Sequence, residues 1–244
     1  MYRCRLMLGF FLLGCAALPA WAVEAWMPER PSFRGVDWDV ATAPPEGCEV
    51  VDLAQHSLLS RLSALAGLRM PALYLCAGRG VGASTLPPYG IAVTGELASL
   101  PLCQKAFVLG HELAHLAMRH AEETAAALRS VARLPTASAV DAFAVADFDM
   151  SLLLHLSPLL RAQEIEADRL GALLAAGLGC PLEQSGLAYL KRLPLQGARA
   201  VVETHDGPAE RARKLQPLAA SATAIVEHRA LDRTGRALIS GGGF

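Results

Sequence analysis

The sequence has no surplus of charge of either sign: 22 lysines and arginines face 23 aspartates and glutamates among 244 residues. That balance excludes the basic footprint of a nucleic-acid-binding surface. Glycine and proline, at 21 and 15, are not in excess, which excludes collagenous and low-complexity architectures. No repeat with a period of about 20–50 residues is visible, which removes solenoids and propellers. No C-x-x-C pair occurs, so a zinc ribbon is excluded. The glycine-rich stretch from Gly78 to Ala83 lacks the lysine of a phosphate loop. It loosely imitates a dinucleotide fingerprint, but Ser84-Thr85-Leu86-Pro87-Pro88 follows where a helix would have to open. A loop is expected there. What the chain does have is apolar material: 53% of residues are hydrophobic and 18% charged, enough for one large domain or two small ones.

The N-terminus reads as an address. Arg3 and Arg5 precede a nearly unbroken apolar run from Leu6 to Leu18, and Ala20-Trp21-Ala22 follows. A basic segment, a short apolar segment and an A-x-A site are the three parts of a secretory signal, so residues 1–22 are expected to be removed and the mature chain to be periplasmic or secreted. The alternative is a lipoprotein: Leu12-Leu13-Gly14-Cys15 resembles a lipidation box, with Cys15 as the anchored residue. The apolar run continues past Cys15 to the A-x-A site, which favours simple secretion. No later run of 18 apolar residues is present to span a membrane. Cys48, Cys76, Cys103 and Cys180 then lie in an oxidising compartment and are expected to form one or two disulfides, with three full connectivities open.

Along the mature chain, residues 23–47 read as an irregular extension, 48–228 as one domain and 229–244 as a flexible tail. Val51, Leu53, Leu58, Leu59, Leu62 and Leu65 have helical spacing. Ala72–Cys76 and Gly90–Thr94 read as strands joined by a Gly- and Pro-rich connection. Residues 104–129 form one long helical stretch, interrupted only by Gly110. Helical periodicity returns near Met150, with a kink or break expected at Pro158, and ends at Gly177 and Gly179. Further helices are expected from Pro181 and from Pro208.

Chemistry is concentrated in His111-Glu112-Leu113-Ala114-His115. Residues four apart on a helix share a face, so both imidazoles can converge on one metal ion, with Glu112 placed to take a proton from water that the metal activates. Random expectation for this pattern is about 0.01 per chain of this composition. A surface helix carrying two histidines by accident is the bland alternative. Phe107, Val108, Leu109, Leu113, Ala114, Leu116 and Ala117 make the helix apolar nearly all round, hence buried, which argues against that. The extended HExxHxxGxxH pattern fails, because Met118 and Ala121 stand where Gly and His would be required. His120, about 140° further round the helix than His115, is expected to point elsewhere.

The third ligand must come from another segment. Glu164 and Asp168 are four apart in Glu164-Ile165-Glu166-Ala167-Asp168, so both can face one target. Glu164 is expected to bind zinc and Asp168 to accept the outer N–H of a ligating histidine. Glu166, on another side of the helix, is expected to be solvated or paired with Arg169. His56, His155 and His228 are read as solvent-facing or satisfied in the core.

With HELAHLAMRH at 111–120 and Arg161 through Gly171 reading RAQEIEADRLG, the chain resembles the HtpX-like and CAAX-prenyl-protease-like zinc endopeptidases. That family pairs HExxH with a downstream ExxxD. Ala92-Val93-Thr94-Gly95-Glu96-Leu97 is similar to the strand and turn just upstream of its metal helix. Thr204-His205-Asp206-Gly207-Pro208 with Arg211 is similar to its Thr-His-Pro motif and following Arg, although Asp206 and Gly207 separate the His from the Pro here. The resemblance covers residues 50–215 and points to the secreted BepA-like and LoiP-like bacterial members. It implies a gluzincin with one zinc ion per chain, acting on unfolded or misassembled envelope proteins in quality control, with peripheral or lipid-anchored membrane association as one arrangement. BepA-like proteins append a helical-repeat domain, and no such repeat is expected within these residues, so adaptor functions of that domain are not carried over.

The resulting expectation is an α+β, predominantly helical zincin-type metallopeptidase domain with a small sheet beside the metal helix. His111, His115 and Glu164 hold zinc, Glu112 activates water, Asp168 supports a ligand, and His205 or Arg211 stabilises the oxyanion. His205 has a second reading, as a latch that occupies the open zinc position. The strand at Gly90–Thr94 is expected to be an exposed edge that pairs with substrate backbone. A rival from another class is a latent or chaperone-like zinc-bound protein with little turnover, against which the presence of Glu112 argues. A structural zinc site would need four closed positions, for which the cysteines lack the spacing.

Overall fold

The computed structural model describes residues 44, 47–51, 57–77, 82–86, 90–133, 142, 150–193 and 206–228. The expected signal peptide with Cys15, most of the N-terminal extension, His56, His205 and the tail 229–244 lie outside the described residues. Strand β1 (Cys48–Val50), helix α1 (Ser57–Leu65), β2 (Ala72–Cys76), β3 (Ala83–Leu86) and β4 (Gly90–Thr94) come first. A 3₁₀ turn (Gly95–Ser99) leads into α2 (Leu102–Ala117), followed by α3 (His120–Val131), α4 (Met150–Gly177), α5 (Gly186–Arg192) and α6 (Pro208–Leu215). Residues 216–218 are 3₁₀ and 219–228 helical again. The described chain is thus mostly helical with one small sheet, in keeping with the expected α+β class.

The four strands lie in the order β1-β2-β4-β3. β2 and β4 run parallel, while β1 pairs with β2 and β3 with β4 antiparallel. β4 is therefore an interior strand, which corrects the expectation that Gly90–Thr94 is an exposed edge. That edge belongs to β3, a strand absent from the sequence reading because Ala83-Ser84-Thr85-Leu86 is short, shows no apolar alternation and sits among glycines and prolines. The Thr94 N–H donates to the Gly82 carbonyl at 3.0 Å. Alternation along an antiparallel ladder then turns the backbone groups of Ala83 and Thr85 away from β4.

One face of the sheet, through Leu73, Ile91 and Val93, packs into a core with Leu59 and Leu62 of α1 and Phe107, Leu109 and Leu113 of α2. Each of these side chains contributes roughly 1.5–3 kcal/mol by leaving water. α2 runs through this core and is buried on nearly every side from Ala106 to Ala114, as its all-round apolar pattern requires. Its most extensive neighbour is α4. The two helices cross where Gly110 meets Gly171. A Cβ on Gly171 would lie 2.7 Å from the His111 backbone nitrogen, and one on Gly110 would lie 3.1 Å from the Gly171 carbonyl. The absence of side chains at the crossing lets the HExxH and ExxxD segments come face to face.

Two disulfides brace this arrangement. Cys48–Cys76 links residues directly opposite each other in β1 and β2. Cys103–Cys180 ties the first turn of α2 to the turn that follows α4. It closes a span of 77 residues, worth roughly 4 kcal/mol if its effect is chain entropy alone. Helix α4 continues through Pro158 without a break. Proline removes the donor for the Leu154 carbonyl, and Leu154 is exposed, so water can serve instead. No helix among the described residues is long and apolar enough to cross a membrane.

The long stretch expected at 104–129 is two helices. Arg119 takes a left-handed conformation (φ 55°, ψ 37°) between α2 and α3, a geometry unfavourable for a residue with a side chain and signalled by neither glycine nor proline. The chain direction changes there. Leu128 of α3 joins Ala142, Leu152 and Leu156 in a second, smaller apolar cluster. Gln163 of α4 ties the same helix down, donating to the His120 carbonyl at 3.3 Å and accepting from Thr124 at 3.0 Å.

Candidate metal centre

α2 and α4 bring His111, His115 and Glu164 together. The two Nε2 atoms are 3.1 Å apart, and the Glu164 carboxylate lies 3.5 Å from one and 3.4 Å from the other. Donors around one tetrahedral ion at about 2.0–2.1 Å sit about 3.3 Å from one another, so these separations suit a single small cation. Two imidazoles and a carboxylate are also the donor types such an ion takes. Among the described residues, these three form the group of His, Cys, Asp and Glu able to hold a metal.

Both histidines turn Nε2 inward and Nδ1 outward, and each Nδ1 meets a different partner. His111 Nδ1 is 3.0 Å from Asp168. Asp168 is only 2% exposed, and Arg211 from α6 clamps it by donating through Nε and Nη2 at 2.7 and 2.6 Å. A buried carboxylate needs such compensation. Burial alone would raise the Asp168 pKa, but the bonds from Arg211 and His111 outweigh it and hold the group below its usual range. Burial would likewise depress His111, yet the bonds to Asp168 and Glu164 and the charges of Asp168 and Glu112 push it up to about 10.

Arg211 was expected at the oxyanion. Its guanidinium is instead engaged with the Asp168 carboxylate and lies 3.7 Å from Glu164. The contacts lock ligand-bearing residues in place, because a planar bidentate fork fits a carboxylate that must be fixed in orientation. The oxyanion role is therefore not what these contacts provide.

Four other residues were missed or misplaced by the sequence reading. Thr85 on the edge strand donates its hydroxyl to the Glu112 carboxylate at 2.8 Å, with the Glu112 carbonyl 3.1 Å away as a competing acceptor. No sequence signal marks it, since the contact joins residues 27 apart through an unrecognised strand. His120, expected to point elsewhere, places Nδ1 2.9 Å from His115 Nδ1, and its Nε2 lies 3.2 Å from Glu166. Glu166 is thus engaged with His120 and not with Arg169 or solvent alone. The αL turn at Arg119 explains both corrections, since it moves His120 off the helical path that the 140° argument assumed. Tyr189 of α5 packs against Phe107 with ring centroids 5.8 Å apart and planes tilted by 49°. Burial raises its hydroxyl pKa, within the fields of Arg211, Glu112 and Asp168.

His155 is exposed, and its Nδ1 donates to the Ser151 carbonyl of its own helix at 3.0 Å. His228 is also exposed. Glu112 itself, on α2, is 6% exposed and lies beside the three converging donors. A buried carboxylate held by one hydroxyl next to a cation-sized cluster can exchange a proton with a small molecule in the same space.

The family model described as Peptidase family M48 matches residues 56–219. No curated protein and no solved structure matches the chain.

Proposed function

The chain belongs to the metallopeptidase family M48, and from that premise we propose that it is a zinc-dependent endopeptidase of the bacterial envelope, periplasmic or secreted, related to the BepA-like and LoiP-like members. The convergence of His111, His115 and Glu164 within ligand distance of one another is the observation that carries this reading. Zinc held by these three residues would supply Lewis acidity toward a peptide carbonyl and an attacking water. Glu112 takes the proton of that water and passes it to the departing amine, and Thr85 holds its carboxylate in the orientation this requires. Asp168 fixes the tautomer of His111, and Arg211 fixes Asp168.

The substrate backbone adds to the outer edge of β3, where Ala83 and Thr85 turn their main-chain groups away from β4. Because that pairing reads backbone and not side chains, it suits a broad peptidase acting on unfolded or misassembled envelope proteins. Two disulfides support an oxidising location, as does the signal-like N-terminus, with lipidation at Cys15 as the anchored alternative. His205 is the remaining candidate for oxyanion stabilisation or for a latch.

Metal analysis of the purified protein, with casein digestion in the presence and absence of a chelator, tests the reading. One zinc per chain and chelator-sensitive hydrolysis are expected, and Glu112→Gln should keep the zinc while losing hydrolysis by several orders of magnitude. A wild-type protein that binds zinc and leaves casein intact would favour the binding-protein reading instead.

A further inference from the structure

We propose that His120 and Glu166 form a positioning chain for the ligand His115, fixing its ring and its tautomer through two successive hydrogen bonds. The inference rests on the metal-site reading above and follows from counting protons. His115 turns Nε2 toward His111 and Glu164, so binding a cation there requires a lone pair on Nε2 and the hydrogen on Nδ1. That N–H faces His120 Nδ1 at 2.9 Å, which must then be the acceptor. A neutral imidazole has one N–H, so the hydrogen of His120 is placed on Nε2. That atom is 3.2 Å from the Glu166 carboxylate, which can only accept.

One assignment therefore satisfies every contact from the metal position to Glu166. The opposite tautomer of His120 would set two N–H groups against each other at His115 and two acceptors against each other at Glu166. Glu166 is what disfavours it. The ring geometry agrees: His115 and His120 meet edge-on, with centroids 4.8 Å apart and planes at 78°, so an in-plane nitrogen of one ring can address the other.

A buried histidine that merely fills space is the simpler alternative, since His120 is 2% exposed. The docking of α3, however, has ties besides that ring. Gln163 holds the His120 backbone carbonyl, and Thr124 and Glu123 hold Gln163. Replacing the imidazole leaves those ties in place, so a positioning role and a packing role are separable.

The test uses the full chain and reads cobalt and zinc affinity by competition with a chromophoric chelator, the cobalt d–d spectrum, and thermal unfolding of the metal-free protein. His120→Leu should weaken both metals about 10–100-fold and alter the cobalt spectrum. His120→Asn, whose side-chain oxygen can stand near the lost Nδ1 acceptor, should recover most of the affinity. Glu166→Ala, at a partly exposed carboxylate, should weaken binding about 10-fold, the low end for an outer partner of a ligand histidine, with little change in metal-free unfolding. Wild-type affinity and spectrum in His120→Leu would overturn the proposal, as would an Asn variant as weak as Leu. If His120→Leu does not fold, unchanged affinity and spectrum in Glu166→Ala overturns it. A wild-type chain that binds neither metal would instead overturn the metal-site reading on which the proposal stands.

Discussion

His111 and His115 stand one helical turn apart on the same face of α2, yet they are backed by opposite chemistry. Behind His111 is a largely buried ionic cluster, in which Asp168 takes bonds from the imidazole and from the Arg211 fork. Behind His115 is a second imidazole that leads outward to a partly exposed carboxylate. Strength and cost differ accordingly. A buried charge pair orients rigidly but leaves an uncompensated charge when one partner is lost. A neutral chain ending near water orients more softly and can be cut at lower cost.

The largest expected effect belongs to the residue that both histidines share. Glu164→Ala removes a donor lying 3.4–3.5 Å from each Nε2 and should abolish stable zinc binding and hydrolysis together. Zinc content unchanged by that substitution would place the third ligand elsewhere. Asp168→Ala attacks the His111 side alone. It strands the buried Arg211 guanidinium, so a loss of about 3–5 kcal/mol in unfolding free energy should accompany a 10- to 100-fold loss of zinc affinity. If denaturant unfolding shows no more loss than Glu166→Ala does, the proposed asymmetry between the two sides is wrong.

Gly171→Ala sharpens the comparison at the helix crossing. Its Cβ would lie 2.7 Å from the His111 nitrogen, and overpacking of this kind costs about 1–3 kcal/mol. The displacement falls at His111, so zinc affinity should drop, while the His115–His120 contact, a turn further along, is spared. Chemical denaturation together with metal titration checks both parts.

The smallest effect is a pH dependence confined to the His111 side. In the metal-free protein, Asp168 and Glu164 overcome the effect of burial and raise His111 from 6.5 to about 10. Because the folded-state value is raised, the stabilisation is fully present below pH 6.5 and is lost as pH rises through about 10. The melting temperature of the chelated protein should therefore fall across that interval, and His111→Gln should flatten the fall. An identical slope in the variant would remove His111 as its source.

The parts of the site that could be read before folding are those carried by spacing within one helix. His111, Glu112 and His115 share a face by periodicity, and Glu164 and Asp168 do so for the same reason. Strands at 72–76 and 90–94 were readable from their apolar runs. Thr85 was not, because the strand that carries it has four residues and no alternation. His120 was misread because nothing in Leu116-Ala117-Met118-Arg119 announces a left-handed residue, and only that turn brings its ring back to His115.

By itself, then, the sequence determined the donor types, their spacing along each helix and the all-round apolar character that buries α2, since these depend on local geometry. Tertiary structure decided which cysteines pair, which strand forms the free edge, what holds Glu112, and why each ligand histidine faces a different partner. Thr85 with Glu112, His111 with Asp168 and Cys103 with Cys180 stand 27 to 77 positions apart, and the meeting of His111 with Asp168 needs two backbones to approach where Gly110 and Gly171 leave room. No local pattern encodes a distance of that kind, because it is set by the packing of the whole core.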